Sequence, residues 1–409
     1  MFQNPILIKR LILCFGAILA VSLILLTSLK YTSGDFDVYY YSSQQYLVKA
    51  PVYIAHGGIN EFKYSPLFAL VFSPLTLLGK KPAIYIWTII NVCFFYGIFF
   101  LLNKLKQFTM TNYKDFIIVF ILLALTGRFI FENFRIGQVN MMLNFFLVLT
   151  MYFEINKKYH LAAAALAFSL MIKLFPLLFL IYFIIKKRFE LIAYTFLFII
   201  FFLLIPAIYS GWGMNIQYLH QWLFLLKSSP PVLMYSIKNN SLLSFFSWFF
   251  IARHEIYGVY DYDLIQKVLT PGVYYAWGIS CLVLFIAFFK DVISNKDKDP
   301  KITYLEYSCL FVCVLLFNPL AYLNALTFLI VPYFFILRFL LDLQLNQRNS
   351  IFSIFILLLT FFLTLLDNTV FFKTPYDFRI FLALKPLMWV LIFVYLCLYG
   401  VKGSLKLKS

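Results

Sequence analysis

The sequence predicts an all-α polytopic membrane protein with about ten full transmembrane helices, a short broken helix pair and two large extracytoplasmic loops. Three observations carry that reading. The 409 residues are 63% hydrophobic and only 12% charged, where soluble domains are about 45–50% apolar and about 25% charged; the mean hydropathy is +0.88. The apolar residues come in runs long enough to cross a bilayer, about 20 residues each. The breaks between runs hold the Lys and Arg residues, as cytoplasmic loops do. That placement accounts for the net charge of +17 without a nucleic-acid partner.

The path follows from these rules, run by run. Lys9 and Arg10 precede the apolar run 11–29, which exceeds the roughly 7–15 residues of a signal-peptide core. It reads as an uncleaved first span leaving the cytoplasm. Residues 30–82 then form the first extracytoplasmic loop. Span 83–102 returns to Lys104, Lys106 and Lys114. Span 116–131 goes out to a turn at 132–139, and span 140–154 returns to Lys157 and Lys158. One straight helix over 161–185 would place Lys186, Lys187 and Arg188 outside and invert every later loop. Lys173 is ionisable and Pro176 breaks helices. Two short arms, 161–172 and 176–185, are therefore predicted, with the break pointing outward toward protein or water. Span 189–209 leads to the second extracytoplasmic loop, 210–270, in which 241–252 is apolar but too short to cross. Spans 272–289, 304–317, 320–337, 351–367 and 380–401 then alternate, leaving Lys402, Lys406 and Lys408 inside. In this path both termini are cytoplasmic, residues 1–409 form a single integral-membrane domain, and no fixed-period repeat is apparent.

Several chemistries have no foothold. There is no Gly-rich phosphate loop, HExxH or GxSxG motif. His56, His160, His220 and His254 are scattered, and the six Cys lie inside apolar runs as small core residues. Carboxylate chemistry is left, and the topology puts most candidate acids at the outer face.

Asp35 and Asp37 stand in "SGDFDVYY", just after the first span. The bland reading is a solvated loop acid. Held near the membrane exit and partly desolvated, a carboxylate can instead take the proton of an attacking hydroxyl. A spacing of two sends the side chains apart, to opposite sides of a strand or by about 100° per residue around a helix. Only one then faces a given substrate. Tyr39 and Tyr40 read as interfacial anchors. In "FKYSPLFALVFSPLTLLGKKP", Pro66 and Pro74 bracket an interfacial helix anchored by Tyr64, suited to a substrate with an acyl or prenyl tail. In "FENFRIGQVNMMLN", Arg135, Gln138, Asn140 and Asn144 either cap and cross-link helices or donate to a phosphate or sugar. Lys173 in "MIKLFP" either snorkels or serves a site, where its point charge suits a lipid phosphate. Asn240 in "KNNSLL" and Asn318 in "FNPLAYLNA" either cap helices or bind sugar hydroxyls.

The order of these motifs resembles glycosyltransferase family 87, integral-membrane enzymes of the GT-C type that use polyprenyl-phosphate-linked mannose. The matching stretches are Asp35-Phe36-Asp37-Val38-Tyr39, Tyr64-Ser65-Pro66-Leu67, Gly137-Gln138-Val139-Asn140, Lys173-Leu174-Phe175-Pro176, Asn240-Ser241-Leu242 and Asn318-Pro319. They span about residues 30–330; Asn240 stands where the family has Gln. The resemblance implies a GT-C-like fold and inverting transfer of a mannosyl or similar hexosyl unit from polyprenyl phosphate. The acceptor hydroxyl would belong to a glycan or glycolipid on the extracytoplasmic side of the plasma (inner) membrane. It makes Asp35 the general base, with Asp37 the second choice. Arg135, Gln138, Asn140, Lys173, Asn240 and Tyr64 are the candidate contacts to donor phosphate and sugar. No cofactor is called for, and a lone Asp pair is poor ground for a divalent metal. A transporter or flippase for lipid-linked sugars, or a glycan polymerase, remains the alternative at this point.

Overall fold

Inside a bilayer a segment must satisfy its own backbone hydrogen bonds, and the computed structural model meets this demand with helices alone. Residues 34–54, 61–105, 113–227, 239–247, 270–294, 300–342, 351, 353–359 and 385–396 are described, and no strand occurs among them. The protein is an all-α polytopic membrane protein. Among the described residues, five helices are long and apolar enough to cross a membrane: Lys80–Asn103, Ile117–Arg135, Phe189–Ser210, Pro271–Lys290 and Leu323–Leu340. The expected first span, 11–29, lies outside the described residues.

The chain divides into two compact units, one of Met1–Phe116 and Arg128–Ser229, the other of Ile117–Gly127 and Pro230–Ser409. In the first, the stretch after residue 33 is helical: α1 is Asp35–Leu47 and α2 is Pro66–Thr76. There follow α3 (Lys80–Asn103), the last turns of α4 (Tyr113–Arg135), α5 (Asn140–Ile155), α6 (Tyr159–Ile172), α7 (Leu177–Ile185), α8 (Phe189–Leu204), α9 (Pro206–Ser210) and α10 (Trp212–Lys227). Helix α1 packs on α2, α3 on α5, and α6 on both α5 and α8.

Two features position the site. The break expected within 161–185 is present. Helix α6 ends at Ile172, Lys173 is extended at φ −145° and ψ 145°, and Pro176 precedes α7 at φ −61°. An apolar stretch thus becomes two arms with a polar elbow between them. Helix α5 has 16 residues, about 24 Å at 1.5 Å per residue, short of the roughly 30 Å hydrocarbon core.

Helix α10 occupies the start of the 210–270 segment, where the sequence pattern had not pointed to a helix. Gly211, at φ +86°, ends α9 and allows a sharp turn into α10. Asn215, Tyr218, Trp222 and Leu225 are buried along one face of α10, a helical period that the reading missed. The Tyr218 hydroxyl donates to the Ala50 carbonyl at 2.8 Å and Trp222 Nε1 to the Lys63 carbonyl at 3.3 Å. Tyr46 and Tyr209 add bonds of 2.7 Å to the Pro206 and Leu47 carbonyls. These bonds tie the far end of α1 and the chain before α2 to α9 and α10.

The second unit holds α11 (Leu242–Ser247), α12 (Thr270–Ser294), α13 (Pro300–Phe317), a 3₁₀ stretch Leu323–Leu329, α14 (Ile330–Asp342) and α15 (Lys385–Leu396). Here two of the sequence motifs meet. Asn239 Oδ1 accepts the backbone N–H groups of Ser241 and Ala321, each at 3.0 Å, and its Nδ2 donates to the Pro319 carbonyl at 2.9 Å. Ser241 Oγ accepts the Ser244 N–H at 3.0 Å, an N-cap for α11.

Candidate functional site

The site begins at a glycine. After α4 ends at Arg135, Gly137 takes φ +66°, a left-handed conformation that costs other residues roughly 1–2 kcal/mol. The turn lets the Gly137 N–H reach the Phe134 carbonyl at 3.0 Å and the Gln138 N–H reach the Asn133 carbonyl at 2.8 Å. Space demands glycine as well. A Cβ at Gly137 would fall 2.5 Å from Phe36 Cβ, and one at Gly34 would fall 3.0 Å from Ile136 Cβ. The N-terminus of α1 lies directly on this turn, with the Phe36 N–H donating to the Ile136 carbonyl at 3.1 Å. Trp87 Nε1 of α3 donates to the Gly137 carbonyl at 2.7 Å and completes the seat.

Gln138 is the hub. Its Oε1 accepts from the Tyr39 hydroxyl at 2.5 Å, the Val139 N–H at 2.9 Å and the Tyr64 hydroxyl at 3.2 Å. Lys173 Nζ approaches the same oxygen at 3.5 Å. So many donors fix the amide orientation, which leaves Nε2 to donate; it does so to Asp35 Oδ2 at 2.8 Å. The Tyr39 and Tyr64 hydroxyls are also 2.8 Å apart. Their rings meet edge-to-face at 5.0 Å, within an aromatic cluster that includes Phe68, Phe72 and Trp87. Lys173 Nζ donates to Asn140 Oδ1 at 2.7 Å and stands 5.8 Å from the Tyr64 ring.

Five of the predicted residues therefore meet: Asp35, Tyr64, Gln138, Asn140 and Lys173. The others lie differently. Asp37 is buried two positions round α1 and pairs with Lys80 Nζ at 3.0 Å, as the divergence around a helix requires. Arg135 makes a two-pronged pair with Glu132, at 2.8 and 2.6 Å. Asn240 is buried in the second unit, where its N–H donates to the Ala321 carbonyl at 2.7 Å. The residue that sequence reasoning missed is Tyr39, taken for an interfacial anchor. It follows Asp35 by four residues, one helical turn, and that spacing was the available signal.

Asp35 and Lys173 lie outside the membrane-crossing helices, and both keep part of their surface open. Burial raises the Asp35 carboxyl above its usual range, opposed by the Lys173 charge. Burial brings the Lys173 ammonium down to about 8, opposed by the Asp35 charge. Each group is thus held nearer its neutral form than it would be in water. Among the described residues no three His, Cys, Asp or Glu side chains gather to hold a metal ion.

Residues 62–319, more than half of the chain, match glycosyltransferase family 87. The chain belongs to that family. No curated protein gives a significant match. Membership makes the protein a membrane glycosyltransferase, which requires a sugar donor, an acceptor and a bilayer; the transporter reading falls. Tyr64, Gln138, Asn140 and Lys173 lie inside the matched segment. Asp35 and Tyr39 precede it and are joined to it through Gln138.

Proposed function

We propose that this family 87 glycosyltransferase moves a mannosyl or similar hexosyl unit from a polyprenyl-phosphate carrier to the hydroxyl of a glycan or glycolipid. Asp35 is the general base. The observation that carries the reading is the joining of four motifs between residues 35 and 173, with Asp35, Tyr64 and Lys173 reaching Gln138 and Lys173 also reaching Asn140. Asp35 Oδ2 is held by the amide, while Oδ1 has no hydrogen-bond partner among the described residues. A raised basicity and one open oxygen suit proton abstraction from an acceptor hydroxyl.

The step balances simply. The acceptor oxygen bonds to the anomeric carbon as the bond from that carbon to the phosphate oxygen breaks, with inversion. The hydroxyl proton goes to Asp35, and polyprenyl phosphate leaves. Negative charge grows on the leaving phosphate, and Lys173, mostly protonated at pH 7 with its pKa at about 8, is the cation placed to meet it. Asn140 steers that ammonium. No metal enters the scheme. The site belongs to the extracytoplasmic face of the inner membrane, with both termini cytoplasmic; nucleotide sugars are absent there, which supports a lipid-linked donor. Transfer of labelled mannose from polyprenyl-phosphate-mannose by the purified enzyme in nanodiscs tests the reading. Asp35→Asn should abolish transfer while the protein stays folded, and full activity in that variant would remove Asp35 as the base.

A further inference from the structure

The end of the first unit away from Asp35 carries a short internal repeat. Tyr152-Phe153-Glu154-Ile155-Asn156-Lys157-Lys158-Tyr159 is echoed thirty residues on by Tyr182-Phe183-Ile184-Ile185-Lys186-Lys187-Arg188-Phe189. The echo extends to the backbone. Lys157 and Lys187 take left-handed φ values of +58° and +56°. The N–H groups of Lys157 and Lys158 reach back to Glu154 and Phe153, each at 2.8 Å. Those of Lys187 and Arg188 reach back to Ile184 and Phe183 at 3.0 and 2.9 Å. Each turn closes a helix with lysine at a position that favours glycine, so each carries a cation where the chain could have been unstrained.

The two turns are clamped together. Arg188 Nε donates to the buried carboxylate of Glu154 at 2.8 Å. This pairing consumes one cation and one acid and leaves Lys157, Lys158 and Lys187 exposed, with no partner among the described residues. Lys186 lies 5.8 Å from the Tyr182 ring, and Glu190 is the remaining nearby acid. Depth is set by sequence. The candidate span Phe189–Ser210 begins directly after Arg188, so the basic turns stand at headgroup level. Helix α6, with 14 residues, separates them from Lys173 by about 21 Å. Below the turns, Phe196, Leu197, Ile200 and Phe201 of α8 are each more than half exposed.

We propose that these paired turns hold the headgroup of an anionic phospholipid, with its acyl chains lying along the exposed face of α8. Exposed cations above an uncovered apolar helix face match the two halves of such a lipid. The inference rests on membrane residence and not on the assignment of the base.

The test is native mass spectrometry of the protein released from micelles containing phosphatidylglycerol or phosphatidylcholine with matched chains. Selective retention of phosphatidylglycerol is expected. Each lysine is worth about fivefold in affinity, so Lys157→Gln, Lys158→Gln and Lys187→Gln together should weaken retention on the order of 100-fold. The single variants Lys157→Gln and Lys187→Gln give the same reading if the triple variant does not fold. Equal retention of the two lipids, or retention unchanged by the substitutions, overturns the proposal. Displacement of phosphatidylglycerol by millimolar inorganic phosphate also overturns it, in favour of a free-anion site.

Discussion

Three glycines separate the two demands placed on the turn at Gly137. Gly137→Ala imposes a side chain at φ +66° and places its Cβ 2.5 Å from Phe36 Cβ. The conformational part costs about 1–2 kcal/mol, and overpacking against a buried neighbour adds about 1–3 kcal/mol. Gly79→Ala incurs a conformational cost alone, about 1–3 kcal/mol at φ +79° and ψ 159°, because nothing lies within 4 Å. Gly127→Ala incurs neither: a new Cβ there meets nothing within 4 Å, and inside α4 alanine should stabilise by up to about 1 kcal/mol. Thermal unfolding in detergent should therefore rank the variants Gly127→Ala, Gly79→Ala, Gly137→Ala in order of falling stability. Activity should separate them further. Relieving a 2.5 Å contact to the roughly 3.5 Å of ordinary carbon packing shifts the start of α1 by about 1 Å. The Asp35–Gln138 bond of 2.8 Å cannot survive that shift, and a misplacement of about 1 Å can cost about 100-fold in rate. If Gly137→Ala is no less stable than Gly79→Ala, or transfers sugar at the normal rate, the account of this seat is wrong.

Other consequences are as direct. Rate against pH should be bell-shaped: the acid limb, where Asp35 gains a proton, should lie above the usual carboxylate range, and the alkaline limb, where Lys173 loses one, near 8. Lys173→Arg, which stays charged, should push the alkaline limb upward at reduced turnover; an unmoved limb would assign it to another group. Asp37→Asn, which removes the charge of a buried carboxylate paired with partly exposed Lys80, should cost about 1–3 kcal/mol and leave turnover within about tenfold of normal, measured in the assay used for Asp35→Asn. Asn239→Ala removes three hydrogen bonds, two of them to the 319–321 segment and one within its own. It should lower stability by about 2–4 kcal/mol, which chemical denaturation would show.

The long helices were legible because a bilayer leaves the chain little choice; apolar length and basic breaks specify Lys80–Asn103 and the span from Phe189 almost to the residue. The elbow at Lys173 was legible for a similar reason, since a charge and a proline cannot share a lipid-facing helix. Helix α10 was missed because its identity depends on partners far off in sequence, Ala50 and Lys63, whose carbonyls its Tyr218 and Trp222 reach. The candidate site was half legible. Motif order named Asp35, Tyr64, Gln138, Asn140 and Lys173, yet no local pattern says that an amide will join an acid to a lysine 138 positions away. Tyr39 and Arg135 carried local signals instead: Tyr39 follows Asp35 by one helical turn, and Glu132, three residues before Arg135, holds it.

The amide between acid and lysine has a chemical consequence. In direct contact, Asp35 and Lys173 would stabilise each other's charges, and the carboxylate would become a weaker base. Gln138 stands between them, giving one N–H to Asp35 and its oxygen toward Lys173. Opposite charges then cohabit without neutralising each other, and burial raises the acid and lowers the lysine. Under the proposed mechanism, the carboxylate would keep enough basicity to take a hydroxyl proton, and the ammonium would keep donors for a phosphate. Gln138→Glu tests the point because it preserves shape while replacing the donor facing Asp35 with a second carboxylate. Tyr39, Tyr64 and the Val139 N–H still bond to one glutamate oxygen. The other meets Asp35 Oδ2 where the amide stood at 2.8 Å, and two carboxylates at that distance share a proton. Asp35 would then be occupied near neutrality. Transfer should fall by at least 100-fold at pH 7 and recover partly as pH rises toward the alkaline limb set by Lys173. A loss independent of pH would mean that Gln138 acts on the substrate and not through Asp35.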